Sequence, residues 1–213
     1  MPSIAVVDYD IGNLHSACKG LKNAGAETLV TASPAEIARA DAVVLPGVGA
    51  FDAAMANLRD RGLIEPLQAA AASGKPFLGI CVGMQVLFEG SEEGDEPGLG
   101  IVRGYVRRFK AEPDLTIPHM GWNELQLQQP DCKLFQNLGP EPYAYFVHSY
   151  YCEPADSQLA AANVTHGSQT IAAAIARNNL VAVQFHPEKS SVVGLKILAN
   201  FVAQLRTATS FGL

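Results

Sequence analysis

Cys81 stands in the run Gly79-Ile80-Cys81-Val82-Gly83-Met84-Gln85, where an apolar strand-like stretch passes directly into a helix-like one. A nucleophile at such a bend projects from the end of a sheet and meets the positive end of a helix dipole, which favours the reactive thiolate. Glycines two residues to either side allow close approach by substrate and by neighbouring backbone. The Val82 N–H would point toward an oxyanion forming beside the sulfur. Gln85, one helical turn on, shares a face with Cys81 and can touch the same substrate. Alone, the run also describes a small, inert, buried cysteine in a glycine-rich turn.

A second group narrows the reading. Phe185-His186-Pro187-Glu188 follows the strand-like run Leu180 to Gln184. Residues two apart on extended backbone share a face, and Pro187 restricts His186 to extended conformations. Glu188 can then accept a hydrogen bond from one imidazole nitrogen while the other faces a thiol, the base-plus-orienter logic of nucleophilic catalysis. Pro46-Gly47-Val48-Gly49 follows a third strand-like run and can offer backbone N–H groups to an oxyanion, each worth ~10²–10³ in rate. Its glycines permit two backbone states, only one of which would aim those groups correctly.

Elements that could bring these groups together are legible nearby. Ser3 to Val7, Thr28 to Val30, Ala42 to Leu45 and Phe77 to Ile80 read as strands. Helical stretches alternate with them: one capped by Asn13 with Leu14, Ala17, Cys18 and Leu21 inward, one starting at Ser33-Pro34, one with Phe51, Ala54, Met55 and Leu58 on a face, and one over Val82 to Phe88. The alternation predicts an α/β fold with an open, mixed, mostly parallel sheet flanked by helices. Ligands in such sheets lie beyond the carboxyl ends of the strands, so Asp8 to Asn13, Pro46 to Ala50 and Cys81 to Gly83 should converge. Ile101 to Phe109, Tyr143 to Val147, Leu159 to Val164, Ile171 to Ala176 and Leu180 to Gln184 predict an antiparallel or mixed extension in the second half. Ser190 or Ser191 should cap a last helix with Val193, Ile197 and Phe201 inward. With no repeat or linker, 1–213 reads as a single domain.

Composition limits the partners. Net charge is -6 from 21 acidic and 15 basic residues, which argues against a nucleic-acid binder. The four cysteines have no short paired spacing, so neither a disulfide framework nor a metal site is expected. Residues after Met1 form no secretory leader, and no uncharged apolar run is long enough to span a bilayer. The expected compartment is cytoplasmic. His15, His119 and His166 read as capping, interface or surface residues, and the acidic loop Glu92 to Glu96 reads as solvated charge.

Gly79 to Gln85 together with His186-Pro187-Glu188 resembles the triad segments of class I glutamine amidotransferases, and the likeness runs through nearly the whole chain. Within that family, Pro46-Gly47-Val48-Gly49-Ala50-Phe51, Pro118-His119-Met120-Gly121-Trp122-Asn123 and His186-Pro187-Glu188-Lys189-Ser190-Ser191 are most similar to the glutaminase subunits that serve imidazole glycerol phosphate synthesis in histidine biosynthesis. The resemblance implies Cys81 as nucleophile, His186 as base and then acid, and Glu188 as orienter. It implies an oxyanion hole from the Val48 and Val82 amides. Gly49, Gln85, His148, Ser149 and Tyr150 would hold glutamine, with no cofactor. The implied partner is a separate (β/α)₈ cyclase that receives ammonia, docked on a face including Asn13, Met120, Trp122 and Lys189. Two alternatives stand beside this: a glutaminase serving another synthetase, against which Trp122 and Lys189 argue, and a non-catalytic regulatory subunit, against which the complete Cys/His/Glu set argues.

Overall fold

A computed structural model of the chain describes residues 1–129 and 131–209, with 206–209 as backbone alone. Of the span 1–213 expected to fold as one domain, residue 130 and residues 210–213 lie outside the described residues. The first half alternates as expected: β1 (Ser3–Val7), α1 (Leu14–Asn23), β2 (Glu27–Thr31), α2 (Pro34–Arg39), β3 (Ala42–Gly47), α3 (Phe51–Asp60), α4 (Ile64–Ala72), β4 (Phe77–Cys81) and α5 (Val82–Gln85). The second half is strand-rich: β5 (Gly104–Arg108), β6 (His119–Glu124), β7 (Gln126–Leu127), β8 (Tyr143–His148), β9 (Tyr150–Pro154), β10 (Ala160–His166), β11 (Gln169–Arg177) and β12 (Leu180–Val183), closed by α6 (Ser191–Thr209).

Eight strands form one sheet in the order β2-β1-β3-β4-β12-β11-β10-β7. From β2 to β12 the pairings are parallel, and from β12 to β7 they are antiparallel. This is the expected open, mixed, mostly parallel sheet with an antiparallel extension. The central strands β3, β4 and β12 are buried throughout, which explains their unbroken apolar character: helices or loops cover both faces, so neither face needs polar residues. Asn13 caps α1 by accepting from Ser16 N at 3.4 Å. Ile197 and Phe201 of α6 are buried and Val193 packs against the core.

Several expectations need correction. The second-half strands do not all extend the main sheet. β5 pairs with β9 and β6 with β8 in two separate ladders, and β6 and β9 had no clear sequence signature. The helix expected over Val82 to Phe88 is one turn long, because the chain bends away after Gln85 to lay Leu87 and Phe88 into the core. Ser33 occupies the cap position of α2 without a side-chain cap bond, and its own N–H donates to Thr31 Oγ1.

Candidate active site

Strand order explains why distant segments meet. β4 ends on Cys81, and its two neighbours are β3 and β12, both parallel to it. Gly47 sits in register with Cys81 on one side, and Val183 with Ile80 on the other. All three carboxyl ends therefore open at one edge, delivering Val48 and Gly49 from one neighbour and His186 from the other.

Cys81 adopts φ 55°, a left-handed conformation that a non-glycine residue tolerates only where its surroundings hold it. The glycines around it show what does so. A Cβ on Gly83 would lie 1.8 Å from the Leu45 carbonyl oxygen, and one on Gly79 would lie 2.7 Å from the Gly83 oxygen. These glycines are thus required by backbone packed against backbone, the close approach by neighbouring backbone that the sequence predicts. A Cβ on Gly47 would meet the Tyr9 hydroxyl at 2.5 Å, whereas Gly49, at φ 91°, faces open space. Of the two loop glycines, only Gly49 adopts a positive φ, the conformation that favours glycine.

His186 Nδ1 and Glu188 Oε1 are 2.8 Å apart with both side chains buried. The geometry differs from the expected continuous extended segment. His186 is extended, but Pro187–Lys189 form a 3₁₀ turn that swings Glu188 back beneath the ring. Burial pulls the imidazole pKa down, yet hydrogen bonds to Cys81 and Glu188 outweigh it and lift the value to about 9. Among the described residues, Glu188 Oε2 is buried without a partner, so the carboxylate's polar interactions concentrate on the imidazole.

Cys81, Val82 and His186 line a cleft of about 460 Å³ that Val48, Gly49, Gln85, His148, Ser149 and Tyr150 also line. Those nine residues, all named from the sequence, thus share one space. Pro118, Val147 and Lys189 form part of the wall as well, and Lys189 is exposed. Asn13 is elsewhere in the loop after β1. That loop reaches the site indirectly: Tyr9 Oη donates to the Pro46 carbonyl at 2.8 Å, and Gly12 packs against the same oxygen.

Three residues gain importance that their sequence context hid. Glu93, in the loop read as solvated charge, lines the cleft, and its Oε2 accepts the Phe51 N–H at 2.8 Å at the start of α3. No local signal links residues 42 positions apart. Gln184 is fully buried and its Nε2 lies 3.8 Å from the Cys81 sulfur. The two-residue spacing from His186 was its one available sign. His119, read as a surface or interface residue, is buried: Asn123 Nδ2 lies 3.1 Å from its Nε2, its Nδ1 lies 3.1 Å from His148 Nε2, and His148 Nδ1 lies 2.9 Å from the Tyr150 carbonyl. A carbonyl only accepts, so His148 donates through Nδ1 and His119 donates to His148. Both rings are neutral in this chain, consistent with burial pushing His119 to about 4 and His148 to about 3. His166 stacks on His119 at 4.3 Å.

On β6 the alternation of the pleat sends His119 inward and Met120 and Trp122 outward, 61% and 54% exposed. Among the described residues no helix is long and apolar enough to cross a membrane.

The chain matches the family model described as glutamine amidotransferase class-I over residues 5–205. It is 68% identical to the imidazole glycerol phosphate synthase subunit HisH of Synechococcus elongatus, covering 97% of this chain and 95% of that protein. It is 66% identical to the subunit of the same name from a Cyanothece species, covering 97% and 98%. A crystal structure of a glutamine amidotransferase superposes with a TM-score of 0.71 at 17% identity, covering 95% of this chain and 98% of that one. The structure of PurLQS from Thermotoga maritima gives 0.69 at 17%, covering 98% and 99%. At those identities the structural likeness speaks for the fold alone.

Proposed function

The chain belongs to the class-I glutamine amidotransferases, and from that membership we propose that Cys81, His186 and Glu188 carry its glutaminase reaction in the service of imidazole glycerol phosphate synthesis. The observation that carries this reading is the meeting, in one cleft of small-molecule size, of a buried Cys81 and a His186 that Glu188 holds at 2.8 Å. The Cys81 sulfur adds to the side-chain amide carbon of glutamine, and the carbonyl electron pair moves onto oxygen. Backbone N–H groups of Val48 and Val82 stabilise that oxyanion. Collapse breaks the C–N bond as His186 gives its proton to the departing ammonia. Water, deprotonated by His186, then adds to the thioester, and a second collapse returns the electron pair to sulfur and frees glutamate. Gly49, Gln85, His148, Ser149 and Tyr150 surround the rest of the substrate, and the Glu93 carboxylate can pair with its ammonium.

Ammonia released into water becomes ammonium, a poor nucleophile, so a partner must receive it directly. We assign that role to a separate (β/α)₈ cyclase subunit docked over the cleft mouth. Lys189 in the cleft wall and the outward pair Met120 and Trp122 form the docking face. Asn13 is its most peripheral member, since its side chain is already used to cap α1.

Cys81→Ala should abolish glutamine-dependent synthesis by the assembled enzyme and spare synthesis from added ammonium salt, because that chemistry belongs to the partner. Steady-state rates with each nitrogen source measure both. Glutamine-dependent turnover surviving in this variant would sink the assignment.

A further inference from the structure

We propose that Gln184 is a further catalytic residue of this site: its side-chain amide donates a second hydrogen bond to the Cys81 sulfur, beside His186, and stabilises the thiolate. The inference rests on Cys81 being the nucleophile, as read above.

Position comes first. β12 and β4 run parallel with Val183 opposite Ile80, so one further step brings Gln184 beside Cys81. Gln184 and His186 are two residues apart, and both reach the sulfur from the same strand end. The Gln184 backbone is tied in place by its N–H donating to the Ala173 carbonyl at 2.8 Å. Its side chain is completely buried, so water cannot substitute for the amide.

Orientation comes second, because a glutamine amide has one donor end and one acceptor end. Here a backbone group sets it. Gln85 Nε2 lies 3.1 Å from the Tyr150 carbonyl, which can only accept. The same Nε2 lies 3.1 Å from Gln184 Oε1. Gln85 therefore donates to both, Gln184 presents oxygen to Gln85, and its nitrogen is left toward sulfur at 3.8 Å, within the range for an N–H donating to sulfur. Reversing Gln184 would set two N–H groups against each other beside Gln85.

The chemistry needs such a donor. Cys81 is 5% exposed, and a buried anion lacks the hydration that stabilises it in water. Among the described residues, His186, Tyr9 and Cys152 feel its charge, and of these His186 supplies positive charge. Gln184 adds a neutral donor that does not itself titrate and stays in place when His186 gives up its proton to ammonia. It acts again when the thioester is hydrolysed and the C–S electron pair returns to sulfur.

The test is the pH profile of Cys81 alkylation by iodoacetamide in the full chain, for wild type, Gln184→Met and Gln184→Glu. Methionine keeps the volume, loses the donor and adds no charge; glutamate keeps the acceptor that Gln85 needs, loses the donor when ionised and adds a negative charge beside the sulfur. The hydrogen bond to a charged group predicts a midpoint higher by about one to two pH units in Gln184→Met, and by more in Gln184→Glu, where charge repulsion adds to the loss. A less stabilised thiolate is more nucleophilic, so the plateau rate at high pH should rise about threefold for each pH unit that the midpoint moves. General structural damage has no reason to raise both together. For wild type itself, the Gln184 side-chain amide resonance should move through the alkylation midpoint, and this step should vanish in Cys81→Ala. A folded variant whose midpoint coincides with wild type, or an amide resonance that stays flat, overturns the inference. Peptide mapping that finds wild-type Cys81 unreactive would sink the glutaminase reading as a whole, and this inference with it.

Discussion

Glu188 illustrates how much a single carboxylate can do without moving a proton. It holds one face of His186 and, with Cys81, raises the imidazole pKa to about 9 although burial opposes the charge. A raised pKa means that the folded state binds the proton more tightly than the unfolded chain. The pair therefore adds stability that is complete below about pH 6.5 and lost as pH rises through about 9. Glu188→Gln keeps the shape but gives up the charge-assisted bond. We expect kcat for glutamine hydrolysis to fall roughly ten- to a hundredfold, the worth of one such bond. His186→Ala should fall further, since it forfeits acid–base catalysis worth ~10²–10⁴. The alkaline limb of the Glu188→Gln pH–rate profile should also move to lower pH. Turnover and limb both equal to wild type would remove Glu188 from the mechanism.

At the scale of elements, the β6–β8 ladder and the turn at β9 carry a buried chain of donors from Asn123 through His119 and His148 to the Tyr150 carbonyl. That carbonyl also accepts from Gln85, so the chain bears on the cleft wall. It works only with neutral rings, because a proton on His148 would turn its acceptor nitrogen against the His119 donor. Both histidines have folded pKa values below 6.5, about 4 and about 3, so the unfolded state binds more protons as pH falls past 6.5. Stability should be full above that pH and decline as pH drops toward 4. Urea midpoints at pH 7 and pH 5, where most carboxylates remain ionised, should show the decline. In His119→Gln, which cannot take up the proton, the decline should be smaller. Equal declines would mean that the cluster does not sense acid.

At the scale of the whole molecule, the cleft and the proposed docking face lie close together. Pro118, which precedes β6, and Lys189, which follows Glu188, both line the cleft, while Met120 and Trp122 project from β6. Trp122 stands edge-on to Tyr145 with centroids 6.0 Å apart, held yet more than half exposed. A large, partly ordered aromatic has little entropy left to lose on docking and much apolar area to bury. Trp122→Ala should therefore weaken cyclase binding by ~2 kcal/mol or more, about thirtyfold in Kd, in titration calorimetry. Unchanged affinity would move the interface away from β6.

The nucleophile turn, the His186–Glu188 pair and the alternating first half were legible along the chain because each depends on residues within a few positions of one another. Bends, glycine spacing and apolar runs are local constraints, and a family resemblance supplied their roles. The order of the strands was not legible, because the periodicity of a buried strand does not name its neighbour. β12, expected in the extension of the second half, is inserted parallel beside β4, and that pairing alone sets Gln184 against the Cys81 sulfur. Glu93 reached the cleft only because α3 and the acidic loop pack together, and His119 turned inward because β6 pairs with β8. Each of these depends on hydrogen bonds between residues tens of positions apart, whose partners are chosen by packing of the complete core.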